Sequence, residues 1–271
     1  MDYAFDRYLR YGELVEWLHS VGDRHPDLVE LSTYGTSHEG RDLWLVTITN
    51  SATGAHGTKP AHWVDASIHA TELTATVAAC SLIQHLVDGH GNDDTVTRAV
   101  DTRTFYIVPR VNPDGAEWAL ADNPRWRRSS TRPWPWNDAH RWPGLEPEDI
   151  DGDGRALEMR IVDPHGGWTT HPDDERLLVP VPVDGETGGR PRYRLLMEGS
   201  IADHDGFTIP TPRTTQGLDL NRNFPAGWGT HVPGSGDHPL SEPEIDALVR
   251  AMVARPNICG ANAYHTAGGV L

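Results

Sequence analysis

An imidazole and a carboxylate stand three residues apart in His69-Ala70-Thr71-Glu72. There a strand-like run, 63–68, gives way to a helix-like one that starts at Leu73. One helical turn brings positions i and i+3 together, so both side chains can reach one point. Both residue types ligate zinc, and a catalytic zinc takes three protein ligands and keeps one position open. The pair alone also fits a half-buried histidine beside a first-turn glutamate that favours the helix dipole. A third ligand therefore has to come from elsewhere, and His265 offers one. It ends the apolar run Ile258–Tyr264 much as His69 ends its own. In an open α/β sheet, ligands gather beyond the carboxyl ends of strands. His69, Glu72 and His265 would make a two-histidine, one-carboxylate set.

The elements that must position these residues can be read from periodicity. Apolar spacing predicts a helix over 10–24, ending before His25-Pro26. Strands are expected at 28–34 and 42–48, joined by a Ser37-His38-Glu39-Gly40 turn, and a third over 61–68. The run from Leu73 to Leu86 reads as a buried helix. A short helix at 93–101, a strand at 103–109 and another short helix at 115–121 follow, with Asn112-Pro113-Asp114-Gly115 as turn chemistry between the last two. Ser241-Glu242-Pro243-Glu244 has the form of a capping box opening a helix to about 254. Strands alternating with helices predict an α/β fold with a mixed, mostly parallel sheet flanked by helices. Between 129 and 216 periodicity fades into Pro, Gly, Trp and Asp. This stretch is too long for a plain loop and reads as an insertion with short strands at 157–162, 177–182 and 192–197.

Taken in order, these motifs resemble the zinc carboxypeptidase family, of the carboxypeptidase A/B type. His69-x-x-Glu72 looks like its first two zinc ligands, and Asn112-Pro113-Asp114-Gly115 like the turn after a central strand. Trp126-Arg127 resembles its Trp-Arg segment, and Asp219-x-Asn221-Arg222-Asn223-Phe224 the segment that grips a terminal carboxylate. His265 is placed like the third ligand. The match covers roughly 1–128 and 217–271 and implies a zinc metallocarboxypeptidase that attacks the C-terminal peptide bond with zinc-activated water. The resemblance assigns Zn²⁺ to His69, Glu72 and His265, and the oxyanion to Arg127, with Arg125, Arg128 and Arg132 as neighbours. Asn221 and Arg222 would hold the substrate's α-carboxylate, for which a planar guanidinium is suited. Asp219 would fix the His69 tautomer.

The chain also departs from the family pattern. Thr71 stands where relatives often carry Arg. After His265 only six residues remain, none of them the family's general-base Glu. The expectation is a single catalytic domain over 1–271, incomplete at its C-terminus, because a sheet ending at the ligand strand would expose a hydrophobic edge. As written, such a chain would bind zinc and hydrolyse peptides poorly. Two other readings stay open: an amidohydrolase acting on cell-wall peptides or acyl amino acids, and an inactive zinc- or calcium-binding module that recognises peptide C-termini.

Composition bounds the rest. At 271 residues, 37% hydrophobic and with ten Trp, the chain is expected to fold. A formal charge of −16 argues against nucleic acid and anionic membrane surfaces as partners. A peptide or protein C-terminus remains as the expected partner. Cys80 and Cys259 sit in apolar runs and read as buried small hydrophobes. No signal peptide is visible, so a cytoplasmic location is the default, and a secreted one would follow if an export segment were removed. Asp149, Asp151 and Asp153, with Gly152 and Gly154 between and after, have oxygens at alternating positions, as calcium loops do. Arg160 at the twelfth position excludes an EF-hand. Ca²⁺ is therefore a second candidate ion, and Asp203-His204-Asp205-Gly206 is a fainter echo of the same pattern.

Overall fold

The computed structural model describes residues 3–122, 127–135, 143–207, 209–210 and 216–266. It divides into two compact units, Met1–Ala139 with Thr214–Leu271, and His140–Arg213. The first unit contains α1 (Tyr11–Arg24), β1 (Val29–Thr36), β2 (Asp42–Ile48), β3 (Ala61–Ala66), α2 (Leu73–Gly89), α3 (Asp94–Thr102), β4 (Thr104–Val108) and α4 (Pro113–Ala119). The second contains β5 (Gly144–Pro147), β6 (Glu158–Val162), β7 (Trp168–Thr170), β8 (Leu178–Pro180), β9 (Arg192–Met197) and β10 (Gly199–Ala202). The chain then returns to the first unit with α5 (Pro243–Val253) and β11 (Ile258–Tyr264).

Five strands form the sheet of the first unit, in the order β1-β2-β4-β3-β11. β1 pairs with β2 and β2 with β4 antiparallel, whereas β4, β3 and β11 run parallel. Alternation along the strands divides the core in two. Val46, Val64, Ala66 and Ile107 face Leu14, Trp17 and Leu18 of α1 and Ala79, Cys80 and Ile83 of α2. Leu45, Trp63, Tyr106 and Val108 face Ile245 and Leu248 of α5 on the other side. A mixed sheet with helices on both faces is the α/β fold that the sequence pattern implies.

The second unit holds a two-stranded antiparallel sheet, β10-β5, and a four-stranded antiparallel one, β6-β9-β7-β8. The three anticipated short strands correspond to β6, β8 and β9. The other three are three or four residues long, too short for a period of two to show. The stretch expected to begin the insertion at 129 starts inside the first unit, where Ser129, Ser130 and Thr131 are buried.

Several local expectations change. The Asn-Pro-Asp-Gly segment is a helix start: Asn112 is the N-cap of α4, accepting the Gly115 N–H at 2.9 Å, and Pro113 takes the first helical position. Ser241 does not cap α5. Its hydroxyl donates to the Glu242 side chain at 2.8 Å, and Pro243 sets the helix start two residues later. Cys259 is exposed rather than buried, on the strand at the edge of the sheet. Of the insertion's tryptophans, Trp134 donates its indole N–H to Asp237 at 2.9 Å. Trp136 and Trp142 lie outside the described residues. Among the described residues no helix is long and apolar enough to cross a membrane.

Glu244 enters α5 buried, with one carboxylate oxygen accepting the His38 N–H at 2.7 Å. Burial, with Asp114 and Glu242 nearby, pushes its pKa up to about 7. Folding therefore takes up a proton. The stabilisation is complete below the ordinary carboxylate pKa and is lost as pH rises through about 7. Between about pH 5 and 7 this group is expected to cost about 1.4 kcal/mol per pH unit. Glu244→Gln cannot ionise and should remove that slope. Urea unfolding across this pH range measures the difference, and parallel profiles for the two proteins would refute the assignment.

Candidate metal centre

Parallel pairing brings the candidate ligands to one end of the sheet. Ala66, the last residue of β3, is in register with Tyr264, the last of β11, so Ser67 and His265 leave the sheet side by side. β4 ends on the other flank of β3, and its continuation still tracks its neighbour: Val111 N–H donates to Ala66 O and Asn112 N–H to Ser67 O. His69 and Glu72 occupy a tight turn rather than the first turn of a helix. Glu72 N–H donates to His69 O at 3.2 Å, and α2 begins one residue later. β3 thus stops three residues short of His69, and the turn brings the two side chains together.

His69 Nδ1 lies 2.8 Å from Glu72 Oε1, and His265 Nδ1 lies 2.8 Å from Glu72 Oε2. The two Nδ1 atoms are 3.3 Å apart. His69 is buried, Glu72 intermediate and His265 exposed. On its far side, His69 Nε2 approaches Asp219 Oδ1 at 3.2 Å. With Nε2–H donated there, Nδ1 keeps its lone pair toward Glu72. With His265 Nδ1 also unprotonated, lone pairs of two imidazoles and a carboxylate would converge on one point, which suits a cation between them. A tetrahedral zinc with ligands at about 2.1 Å would space them by about 3.4 Å. The donor set fits zinc, with the two nitrogen–oxygen pairs opening by about half an ångström.

Asp219 is the junction of the site. Its carboxylate accepts from Arg128 Nε at 2.7 Å, from His69 and from the Asn221 N–H at 2.9 Å. Burial pushes its carboxyl up, but the bonds from His69 and Arg128 outweigh burial and hold it well below the usual carboxylate range. Burial likewise disfavours the His69 imidazolium, yet Asp219 and Glu72 together raise its pKa. A metal ion would compete with that proton.

Asn221 and Arg222 follow Asp219 in a single 3₁₀ turn, Leu220–Arg222, with Arg222 exposed. The Arg127 guanidinium lies 5.5 Å from the centre of the Trp118 ring. The arginine with a described bond into the site is its neighbour Arg128. Trp126 and Arg125 lie outside the described residues.

Several supporting residues escape sequence reasoning. Ser129 donates its hydroxyl to Ile68 O at 3.2 Å and accepts the Leu220 N–H at 3.0 Å, joining the ligand turn to the Asp219 segment. Asn112 Nδ2 donates to Ile68 O and to Ser129 O. Gly115 permits the close approach, since a Cβ there would lie 2.6 Å from Ala70 Cβ and 2.8 Å from Ser129 O. No spacing rule pairs residues so far apart in the chain. The only available signal was the Asn-Pro-Asp-Gly motif, read for its turn chemistry.

In the second unit, carboxylate oxygens of Asp149, Asp151 and Asp153 lie within 4.8 Å of one another. Their backbone bonds hold a series of turns: Asp149 accepts from Gly152 and Gly154, and Asp151 from the Asp153 N–H. Glu198, which the sequence did not single out, accepts the Ile150 and Asp151 N–H groups. At the fainter echo, Asp205 accepts the Phe207 N–H in an exposed turn.

Replacing Asn112 with Ala would leave Ser129 O and the Gly115 N–H unpartnered in the interior. Asn112→Ala is expected to cost about 2–3 kcal/mol of unfolding free energy, read from denaturant midpoints. A loss below about 0.5 kcal/mol would show that Asn112 does not brace the turn.

A sequence model described as zinc carboxypeptidase matches residues 14–147. A zinc carboxypeptidase from Saccharothrix mutabilis subsp. capreolus is 32% identical over 128 residues, covering 46% of this chain and 29% of the relative. Carboxypeptidase B2 of Rattus norvegicus is 28% identical over 125 residues, with 46% and 29% covered. The chain thus spans under a third of the length of these curated relatives. In three dimensions it is similar to the carboxypeptidase A of Helicoverpa armigera, with a TM-score of 0.59 and 18% identity, covering 98% of this chain and 47% of that one. That likeness supports the fold alone. By sequence, residues 14–147 of the chain, just under half of its length, match the zinc carboxypeptidase family.

Proposed function

We propose that this chain carries the metal- and carboxylate-binding part of a zinc metallocarboxypeptidase. The observation that supports the reading best is Asp219, which accepts both from His69 Nε2 and from the backbone of Asn221. One carboxylate thereby ties His69, one of the three candidate ligands, to the segment proposed to grip a peptide's end.

His69, Glu72 and His265 would hold the zinc, which when bound supplies Lewis acidity and lowers the pKa of water. Asp219 orients His69 by accepting Nε2–H and so keeps Nδ1 free as a donor atom. Arg222, with Asn221, would take the substrate's terminal carboxylate in charge-assisted hydrogen bonds and set which peptide bond lies at the metal. Arg127 is proposed for the oxyanion. The general-base role is assigned to no residue of this chain.

Two measurements test this reading. Elemental analysis of the wild type should give one zinc per chain, and His265→Ala should lower the occupancy severalfold under the same dialysis. Unchanged zinc in the variant would remove His265 from the site. Carboxylate recognition needs no turnover to be seen. A fluorescent peptide with a free C-terminus should bind the zinc-loaded protein at least tenfold more tightly than its C-terminal amide, and Arg222→Ala should abolish the difference. Equal binding of acid and amide would overturn the carboxypeptidase assignment.

The Asp149–Asp151–Asp153 loop is proposed as a Ca²⁺ position that stiffens the second unit. Millimolar Ca²⁺ should raise that unit's melting temperature by a few degrees, and Asp151→Asn should cancel the shift. No shift in the wild type would leave the loop a plain series of turns.

A further inference from the structure

Glu72 occupies the N-cap position of α2, yet its side chain makes no capping bond, because the carboxylate is turned toward the two histidines. A helix start without a cap leaves buried N–H groups unpaired, at a cost in stability. Here the cap comes from Ser67, five residues upstream. Its Oγ accepts the Thr76 N–H at 3.1 Å and donates to the Glu72 carbonyl at 2.8 Å. Thr76 Oγ1 lies 2.8 Å from Ser67 Oγ, and Arg110 Nε reaches Thr76 Oγ1 at 3.3 Å. The hydrogens can be assigned without conflict. Arg110 donates to Thr76, Thr76 to Ser67, and Ser67 to Glu72 O, one donor per link.

The backbone of Ser67 is unusual as well. Its φ is +54°, in the left-handed region that residues other than Gly, Asn and Asp enter at a steric cost. Such a conformation persists only where its surroundings over-determine it. Ser67 is fully buried, and its own carbonyl accepts the Asn112 N–H. The left-handed residue turns the chain off β3, and the hydroxyl then ties the far end of the turn to α2.

We infer that Ser67 is a positioning residue for the metal centre: it caps α2 in place of Glu72 and so leaves the Glu72 carboxylate free to act as a ligand beside His69. This rests on the zinc reading above. In the absence of the Ser67 hydroxyl, the Thr76 N–H and the Glu72 carbonyl lose the group that bridges them, and the first turn of α2 shifts together with the Glu72 side chain that it carries. Ser67 therefore acts on ligand geometry as well as on helix stability.

Ser67→Gly keeps the backbone conformation and removes the hydroxyl. Thr76→Val removes only the Thr76 hydroxyl that links Arg110 to Ser67 Oγ, leaves the Thr76 N–H and φ at Ser67 untouched and serves as the second variant. Zinc affinity is measured by competition with a chromophoric chelator, well below the melting temperature of each metal-free protein, and Co²⁺ spectra report the coordination. Ser67→Gly is expected to bind zinc at least tenfold more weakly than wild type, with a changed Co²⁺ absorption band, and Thr76→Val severalfold more weakly. A merely structural role would lower the melting temperature of the metal-free variants and leave zinc affinity and the Co²⁺ band as in wild type. That result would overturn the inference while the zinc reading stands. Wild type binding no zinc that His69→Ala removes would overturn both.

Discussion

Parallel pairing of β3 with β4 and with β11 is the constraint on which the site depends. A parallel strand delivers its C-terminal end to the same edge of the sheet as its neighbours, whatever the separation in sequence. Because Ala66 and Tyr264 are in register, residues nearly two hundred positions apart leave the sheet at one level. The β4 continuation then supplies Asn112 to the same place. The antiparallel hairpin β1-β2 has no such role. It widens the sheet and gives α1 a surface to cover.

Around that convergence, imidazoles and carboxylates make up the candidate ligand set, and amide and hydroxyl groups position it. The Ile68 carbonyl is held by the Asn112 amide and the Ser129 hydroxyl, and the Glu72 carbonyl by the Ser67 hydroxyl. All three positioning side chains are buried or nearly so, where an ionised group would be costly and would shift the electrostatics of the ligands. Asp219 is the exception, and its burial is offset by three donors.

Much of this was legible in the sequence, for identifiable reasons. Long amphipathic runs such as α1 and α2 stand out because each buries one continuous face. The strands show because the sheet is covered on both sides and their runs are apolar. The ligands could be proposed because His69, Glu72 and His265 are chemically distinctive and sit at element ends. What could not be read is pairing across the chain between ordinary residues. Ser67, Ser129 and Glu198 are common types whose partners are fixed only by tertiary contact. Ser241 illustrates the opposite error: its local pattern suited a cap, but a proline two residues later set the helix start and a buried asparagine, Asn223, claimed the serine hydroxyl.

The three candidate ligands also differ in how firmly they are held. His69 and Glu72 lie on one short turn braced at both carbonyl ends, so the ordering of that pair is completed by folding. His265 comes from a strand paired with β3 alone among the described residues, and its side chain is a third exposed. A chelating pair fixed in advance lowers the ordering cost of binding an ion, because less conformational freedom is left to lose. The more exposed third ligand can then close on an ion that the pair already holds. On this reasoning, in the proposed zinc centre the His69–Glu72 turn would set most of the affinity, and His265 would govern how readily the ion enters and leaves.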